Sequence, residues 1–495
     1  MNRNNVNIAV IGAGLGGLST ALHLQAKGYS VSLFEANEHI GGRANRIAQN
    51  GFTFDTGPSL LNYPWVFDRL FAAAGASFSE SVPLLPVDPS ITFFWRDEKR
   101  LTLSSTFSAF LGELERFEPG VGPNLIRFFE ASSEQYRIAF DHLVTKNADT
   151  PMQWIRGTRF SDLKKLSIIR SFDGELKKYF SSRYVREALG SYAMYLGGSP
   201  FDLPGIFSIL PYGELAYGLW LPKGGMYSLI ESIGSLVRGM GTSIHCTTPV
   251  QRIVVENGKC KGIVTGKNDT FRPFDAVVSN VDVPTTESSL LHDVPVRKRS
   301  TPPMTCGVVT FYWGIRKKIA GLPHHSIFLP DHYEKTFNHL TKSGKFPVDI
   351  PFYISIASKT DPSLAPEGHD TMFVLVPAPL LSQTSGIDWR STVVSLKQQV
   401  LDRLAFHGVA LSDSDITFEE VWTPQEWSNR FGLYDGSAFG AIHTLRNIGP
   451  FRKKNADPDI AGLYYVGAST VPGTGMPMVA LGGAMTAERV AEYVR

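Results

Sequence analysis

Cysteine is scarce in this chain. Cys246, Cys260 and Cys306 are odd in number, widely spaced and without a Cys-x-x-Cys pair. A disulfide framework or a structural zinc site is therefore not expected, and a reducing compartment fits best. An excess of one charge is also missing: 48 Lys and Arg face 46 Asp and Glu, so nothing draws the whole chain to nucleic acid. No uninterrupted apolar run approaches the ~18 residues of a spanning helix, so any membrane contact would be peripheral. The first strand pattern starts at Val6, so no signal peptide is expected ahead of it. Gly-x-Ser-x-Gly and His-Glu-x-x-His are both absent. The 12 His lack metal-ligand spacing, so no metal is expected, and the adjacent His324 and His325 should face apart.

What is present begins at the N-terminus. Val6 to Ile11 reads as a buried strand, and Gly12-Ala13-Gly14-Leu-Gly16-Gly17 follows at once. Leu18 to Lys27 has helical spacing, Tyr29 to Phe34 reads as a second strand, and Glu35 ends it. Such a turn lets backbone approach a pyrophosphate, whose charge faces the N–H groups and positive dipole of a helix start. Glu35, about twenty residues on, can take both ribose hydroxyls. Gly41-Gly42-Arg43 then selects among dinucleotides. An Arg just past the ribose acid can neutralise the diphosphate of a permanently held cofactor, which points to FAD over an exchangeable nicotinamide; the alternative is a solvated Arg after an ordinary Gly-Gly turn.

At 495 residues, 43% hydrophobic and 19% charged, the chain suits two or three regions around a large core. Strand and helix patterns alternate over residues 1–80. The pattern turns mostly helical from about 105 to 220, with apolar spacing of three and four through Phe107 to Phe117 and Asn124 to Phe140. Arg252 to Glu256 and Cys260 to Thr265 flank Asn257-Gly258, a strong hairpin signal. Cys306 to Trp313, Phe352 to Ala357 and Thr371 to Val376 read as long strands of a mixed sheet. Gly462 to Gly467 looks like a final core strand, and Met478 to Val494 like a closing helix whose Ala480, Gly482, Gly483 and Ala484 allow close packing. The fold class is thus α/β: a discontinuous Rossmann-type FAD-binding domain with an inserted mixed-sheet substrate domain and a helical, membrane-facing region. The expected segments are 1–80, 221–290 and 431–495 for FAD, 81–220 for the helical region and 291–430 for the substrate domain.

Phe54-Asp55-Thr-Gly57-Pro58-Ser59, with the preceding motifs, resembles FAD-containing oxidases and desaturases of the amine-oxidase type. Further stretches resemble bacterial-type phytoene desaturases, the carotenoid dehydrogenase family. They are Leu221-Pro-Lys-Gly224-Gly225-Met226, Ser279-Asn-Val-Asp282, Asp361-Pro-Ser-Leu-Ala-Pro-Glu-Gly368 and Phe373-Val-Leu-Val-Pro-Ala-Pro379. Phe431 to Phe439 and Tyr464 to Pro477 complete the series, which spans nearly the whole chain in family order. The resemblance implies an FAD enzyme acting on long isoprenoid hydrocarbons. It implies that Gly57, Pro58, Ser59, Val250, Gly467, Pro477 and Met478 join Gly12, Ala13, Gly14, Gly16, Gly17, Glu35, Gly42 and Arg43 as cofactor-binding positions. One position departs: the family usually has His where this chain has Val471.

Removing hydride from a hydrocarbon needs an acceptor, orientation and a dry site, so apolar walls and few acid-base groups are expected. Glu214 and Asp435 sit beside aromatic, glycine-containing stretches and could accept the lost proton, or serve only as loop structure. Lys223 could face the flavin or solvent. No catalytic side chain is assigned. Arg156 to Arg186 interleaves nine Lys and Arg with Phe160, Leu166, Ile169, Phe172, Leu176 and Phe180 among other apolar residues. This suits either a surface helix pressed into anionic headgroups or a core helix with a solvated basic face. Tyr192 to Trp220, aromatic and broken by proline, suits a tunnel mouth.

The expected activity is desaturation of a linear carotenoid precursor, phytoene or a C30 analogue, at the cytoplasmic membrane surface. Oxygen or a quinone would accept the electrons, and nucleic acid is not an expected partner. Alternatives on the same scaffold are carotenoid oxidation, saturation or isomerisation, then amine oxidation of a soluble substrate, then a flavin-free binder of prenylated proteins.

Overall fold

The computed structural model describes residues 6–266, 268–294 and 301–495, with the Thr341 side chain left aside. Asn7–Ile11 is apolar after its first residue and lies at the centre of a five-stranded sheet. Its neighbours are Ala276–Ser279, then Leu463–Tyr465, on one side, and Ser30–Phe34, then Ser243–His245, on the other. Every pairing is parallel. Such strands are covered on both faces, which explains why they read as continuous apolar runs. Three distant parts of the chain therefore close one sheet.

The helix Leu15–Ala26 packs against the final helix Met476–Tyr493 through small residues. Ser19 Oγ donates to the Ala480 carbonyl at 2.7 Å, and a Cβ on Gly483 would lie 2.5 Å from Ser19 Cβ. Glycine is what permits that approach.

A second sheet has seven strands, in the order Ile416–Trp422, Gly307–Ile315, Asp370–Ala378, Phe352–Ser355, His325–Phe328, Ile91–Phe94, Arg100–Leu103. It is antiparallel except where His325–Phe328 meets Ile91–Phe94. The last two strands precede the helical stretch and reach the sheet from far away in sequence. The hairpin Val250–Glu256 and Lys259–Thr265 turns at Asn257 (φ 52°) and Gly258 (φ 70°), the positive pair that a tight two-residue turn requires.

The basic, aromatic stretch is not one helix. It breaks into Phe160–Lys165, Phe172–Leu176 and Arg183–Gly190. Phe172, Leu176 and Phe180 are fully buried, whereas Phe160 and Ile169 are 73% and 94% exposed. Phe172, Leu176 and Phe180 thus fit the core alternative for this stretch, and Phe160 and Ile169 the surface one. No helix is long and apolar enough to cross a membrane among the described residues.

Candidate functional site

A cavity of about 750 Å³ opens at the carboxyl ends of the parallel strands, where nucleotide folds place their ligands. One wall is the first glycine turn, between Asn7–Ile11 and the helix Leu15–Ala26. Gly12, Gly14 and Gly16 line it, as do Glu35, Gly42, Arg43, Gly57, Pro58, Ser59, Val250, Gly467, Pro477 and Met478. Ala13 and Gly17 stand behind the wall. The Ala13 N–H donates to Glu35 Oε2 at 2.7 Å, and a Cβ on Gly17 would collide with the Gly12 carbonyl.

The turn glycines answer to a neighbour that the motif alone does not announce. Asn280, directly after the strand Ala276–Ser279, lies over the turn and donates from Nδ2 to the Val466 carbonyl at 2.8 Å. A Cβ on Gly14 would come 2.7 Å from Asn280 Oδ1, and one on Gly16 would come 2.7 Å from Asn280 Nδ2. In the sequence Asn280 and Asp282 stand out only through the family resemblance, yet both line the cavity.

Glu35 is buried, with its carboxylate held by the N–H groups of Ala13 and Asn37 and by Asn37 Nδ2. Three of its four lone-pair sites are thus taken, and the one left on Oε2 can accept a ribose hydroxyl. Arg43 donates from Nη1 to the Ala438 carbonyl at 2.6 Å. Burial lowers its pKa, and the charge of Asp282 pulls it back up. Among the described residues no carboxylate lies within ion-pairing distance of Arg43. A partly buried guanidinium with free donors, an acid at the end of Ser30–Phe34 and bare backbone between them form a site that fits a dinucleotide. These residues could hold FAD.

Beyond the glycines the wall turns apolar. Phe140, Leu143, Ile206, Phe207, Leu210, Ile327 and Phe373 line it, with Tyr63, Tyr195, Tyr353 and Thr310 among its hydroxyl-bearing members. The stretch expected to form a tunnel mouth contributes Met194 to Gly198 and several residues from Ile206 to Leu210. Val471 is also on the wall, as is His443, whose Nε2 accepts the Thr474 N–H at 3.2 Å. Burial first, then the charge of Arg452, hold His443 well below the usual imidazole range.

The polar candidates lie elsewhere. Lys223 is exposed and off the wall, beside Asp361. Asp435 accepts from the Ser382 N–H and Oγ, likewise off the wall. Glu214 is buried behind the lining, and burial pushes it up to about 7 against hydrogen bonds from Ser90 and Tyr192. Asp55 caps the helix Met226–Gly239 by accepting the Met226 and Tyr227 N–H groups at 2.7 and 2.9 Å. Burial nonetheless pushes its carboxyl up to about 6. Asp361 accepts the Gly224 N–H at 2.7 Å. Three of the stretches that carry the resemblance therefore clamp one another.

The two histidines do not face apart. Their ring centroids are 4.0 Å from each other, and His325 Nδ1 lies 2.6 Å from Tyr353 Oη. No cluster of three His, Cys, Asp or Glu suited to a metal occurs among the described residues.

The profile of flavin-containing amine oxidoreductases matches residues 15–491. A zeta-carotene-forming phytoene desaturase of Myxococcus xanthus is 33% identical, over 98% of this chain and 93% of its own. A 4,4'-diapolycopene oxygenase of a Methylomonas species is 31% identical, over 99% of each chain. An oxidoreductase of Methanosarcina mazei superposes with a TM-score of 0.64 at 18% identity, covering 98% of this chain and all of its own. That likeness is one of fold.

Proposed function

The chain belongs to the flavin-containing amine oxidoreductase family and is an FAD-dependent oxidoreductase, and from that premise we propose that it desaturates a linear carotenoid precursor. The observation that carries the reading is one continuous cavity, glycine and Arg43 at one end, hydrocarbon walls at the other. FAD supplies a hydride acceptor. Gly12, Gly14, Gly16 and Arg43 would hold its diphosphate, and Glu35 its ribose. Gly57 to Ser59, Val250 and Gly467 to Met478 would surround the rest. The aromatic and aliphatic walls orient a flexible chain and exclude water, so hydride leaves a carbon with no side chain to activate it.

The substrate is lipid-soluble, and the mouth of the cavity suits a membrane surface. Trp154, Ile168, Gly449 and Pro450 line the cavity. Close to them in sequence, Met152, Phe160, Ile169 and Phe451 are 60% or more exposed. Arg156, Arg159 and Lys164 form no ion pair among the described residues. Exposed apolar tips beside unpaired cations suit a peripheral contact with anionic lipid. Oxygen or a quinone would reoxidise the flavin.

Expression in cells that accumulate colourless phytoene, or its C30 analogue, tests the reading. Each added conjugated double bond moves absorption to longer wavelength, so coloured extracts are expected. The likeness to the diapolycopene oxygenase favours a second reading, oxidation at a chain end. Oxygenated products without new conjugation would select it.

A further inference from the structure

Each desaturation removes a proton as well as a hydride, and an apolar cavity has few places to put it. Ser59 and Tyr353 are both on the wall, and their hydroxyls are 2.7 Å apart. Tyr353 Oη is 2.6 Å from His325 Nδ1. His325 is fully buried, and its Nε2 has no hydrogen-bond partner. The His324 ring lies against it, and His324 Nδ1 is 2.7 Å from Oγ1 of the half-buried Thr360. A hydrogen-bonded line thus leaves the cavity wall at Ser59, crosses Tyr353 and ends at His325 within the seven-stranded sheet.

Burial fixes the resting states along this line. It holds the Tyr353 hydroxyl well above its ordinary range and His325 well below, so both are neutral. With Nδ1 as acceptor, Tyr353 donates to His325 and Ser59 donates to Tyr353. The Ser59 oxygen then offers its lone pairs to the cavity.

Resting on the desaturase reading, we propose that Ser59, Tyr353 and His325 carry the substrate's proton out of the cavity, with the His325 imidazole as its acceptor. After hydride departure the substrate is an allylic cation. The C–H bond beside it breaks, and its electron pair becomes the new carbon–carbon π bond. The proton joins the Ser59–Tyr353 hydroxyl pair as the Tyr353 proton moves to His325 Nδ1. Only a proton is transferred and the C–H electron pair stays on the substrate, so the step is neither oxidation nor reduction. Tyr353 and Ser59 touch the cavity; His325 acts through Tyr353 and is a positioning residue.

The other buried groups fit the task less well. Glu214 is off the wall and already accepts from Ser90 and Tyr192. His443 is on the wall, but its Nε2 lone pair is taken by the Thr474 N–H.

The test uses the flavin-loaded full chain with phytoene in phosphatidylcholine vesicles. Tyr353→Phe should lower kcat by about 10²-fold, the scale of general-base loss, with KM, flavin absorbance and melting temperature nearly unchanged. His325→Gln and Ser59→Ala should act in the same direction more weakly. A cation that cannot shed its proton is captured by water, so all three variants should divert product from alkene to alcohol, which a merely structural role would not do. Glu214→Gln should leave the product alkene. Wild-type rate and clean alkene from Tyr353→Phe would overturn the relay, as would alcohol formation by Glu214→Gln instead. Failure of the wild type to form any polyene would sink the desaturase reading separately. Nitrogen NMR of His325 then judges the relay without turnover: an unprotonated Nδ1 upholds it, and a protonated one overturns it.

Discussion

The two ends of the cavity are built in opposite ways. At the nucleotide end the wall is largely backbone, supplied by a few short runs, and small residues are required because a side chain would strike something fixed. At the hydrocarbon end the wall is side chain, gathered from Phe140 and Leu143, from Ile206, Phe207 and Leu210, and from Ile327 and Phe373. The first surface must fit one rigid diphosphate; the second must only be apolar and the right width. Demanding geometry leaves a motif in sequence, whereas an oily channel leaves only composition.

Gly16→Val tests that contrast most severely. Its Cβ would lie 2.7 Å from Asn280 Nδ2 and 3.1 Å from the Val466 side chain, with further methyls pushed into the site. Purified protein should lose essentially all of its flavin absorbance. Retention of the flavin would mean that the turn does not cradle it.

Leu210→Trp is the matching change at the other end. Overfilling this wall should leave flavin content intact and lower polyene formation at least tenfold, on the order expected of overpacking, read by product chromatography. If both variants lost flavin alike, the two ends would not be separable.

The same contrast explains what was legible. The parallel strands, the glycine turn, Glu35 and the Asn257-Gly258 hairpin follow from local rules of burial, dipole and positive φ. Ile91–Phe94 and Arg100–Leu103 do not, because their place in the seven-stranded sheet is set by the distant strand His325–Phe328. Asn280 looked like part of a family phrase, and its packing over Gly14 and Gly16 needed three dimensions. The buried Phe172, Leu176 and Phe180 and the exposed Phe160 and Ile169 share one composition. Only the breaks between short helices decide which face reaches solvent. Adjacency in sequence was a poor guide to the placing of His324 and His325. The strand begins at His325, so the rule that neighbours point apart does not bind His324.

A smaller effect concerns the mouth. Phe160→Glu combined with Ile169→Glu removes two exposed apolar tips and adds negative charge where anionic lipid is proposed to sit. Binding to anionic vesicles in a flotation assay should fall roughly tenfold or more, since each buried apolar side chain is worth about 1.5–3 kcal/mol. Turnover of detergent-dispersed substrate should change little. Unchanged vesicle binding would move the membrane contact elsewhere on the surface.

The smallest effect separates a carboxyl that the fold tolerates from one the chemistry uses. Glu214 has a folded pKa of about 7, above the ordinary 4.5, because burial penalises its charge. Its stabilising share is complete below about pH 4.5 and is lost as pH rises through 7, by up to ~3 kcal/mol. Asp55, pushed up to about 6, acts in the same sense at lower pH. The buried imidazoles of His324, His325 and His443 act oppositely, because their depressed pKa values favour the folded state once pH exceeds the unfolded value near 6.5. Wild-type melting alone mixes these signs, so the informative quantity is the difference between Glu214→Gln and wild type. That difference should move in favour of the variant from about pH 5 to about pH 8, by a few degrees at most. A difference that stays flat across this range would mean that Glu214 is solvated, and its place behind the wall would then have to be redrawn.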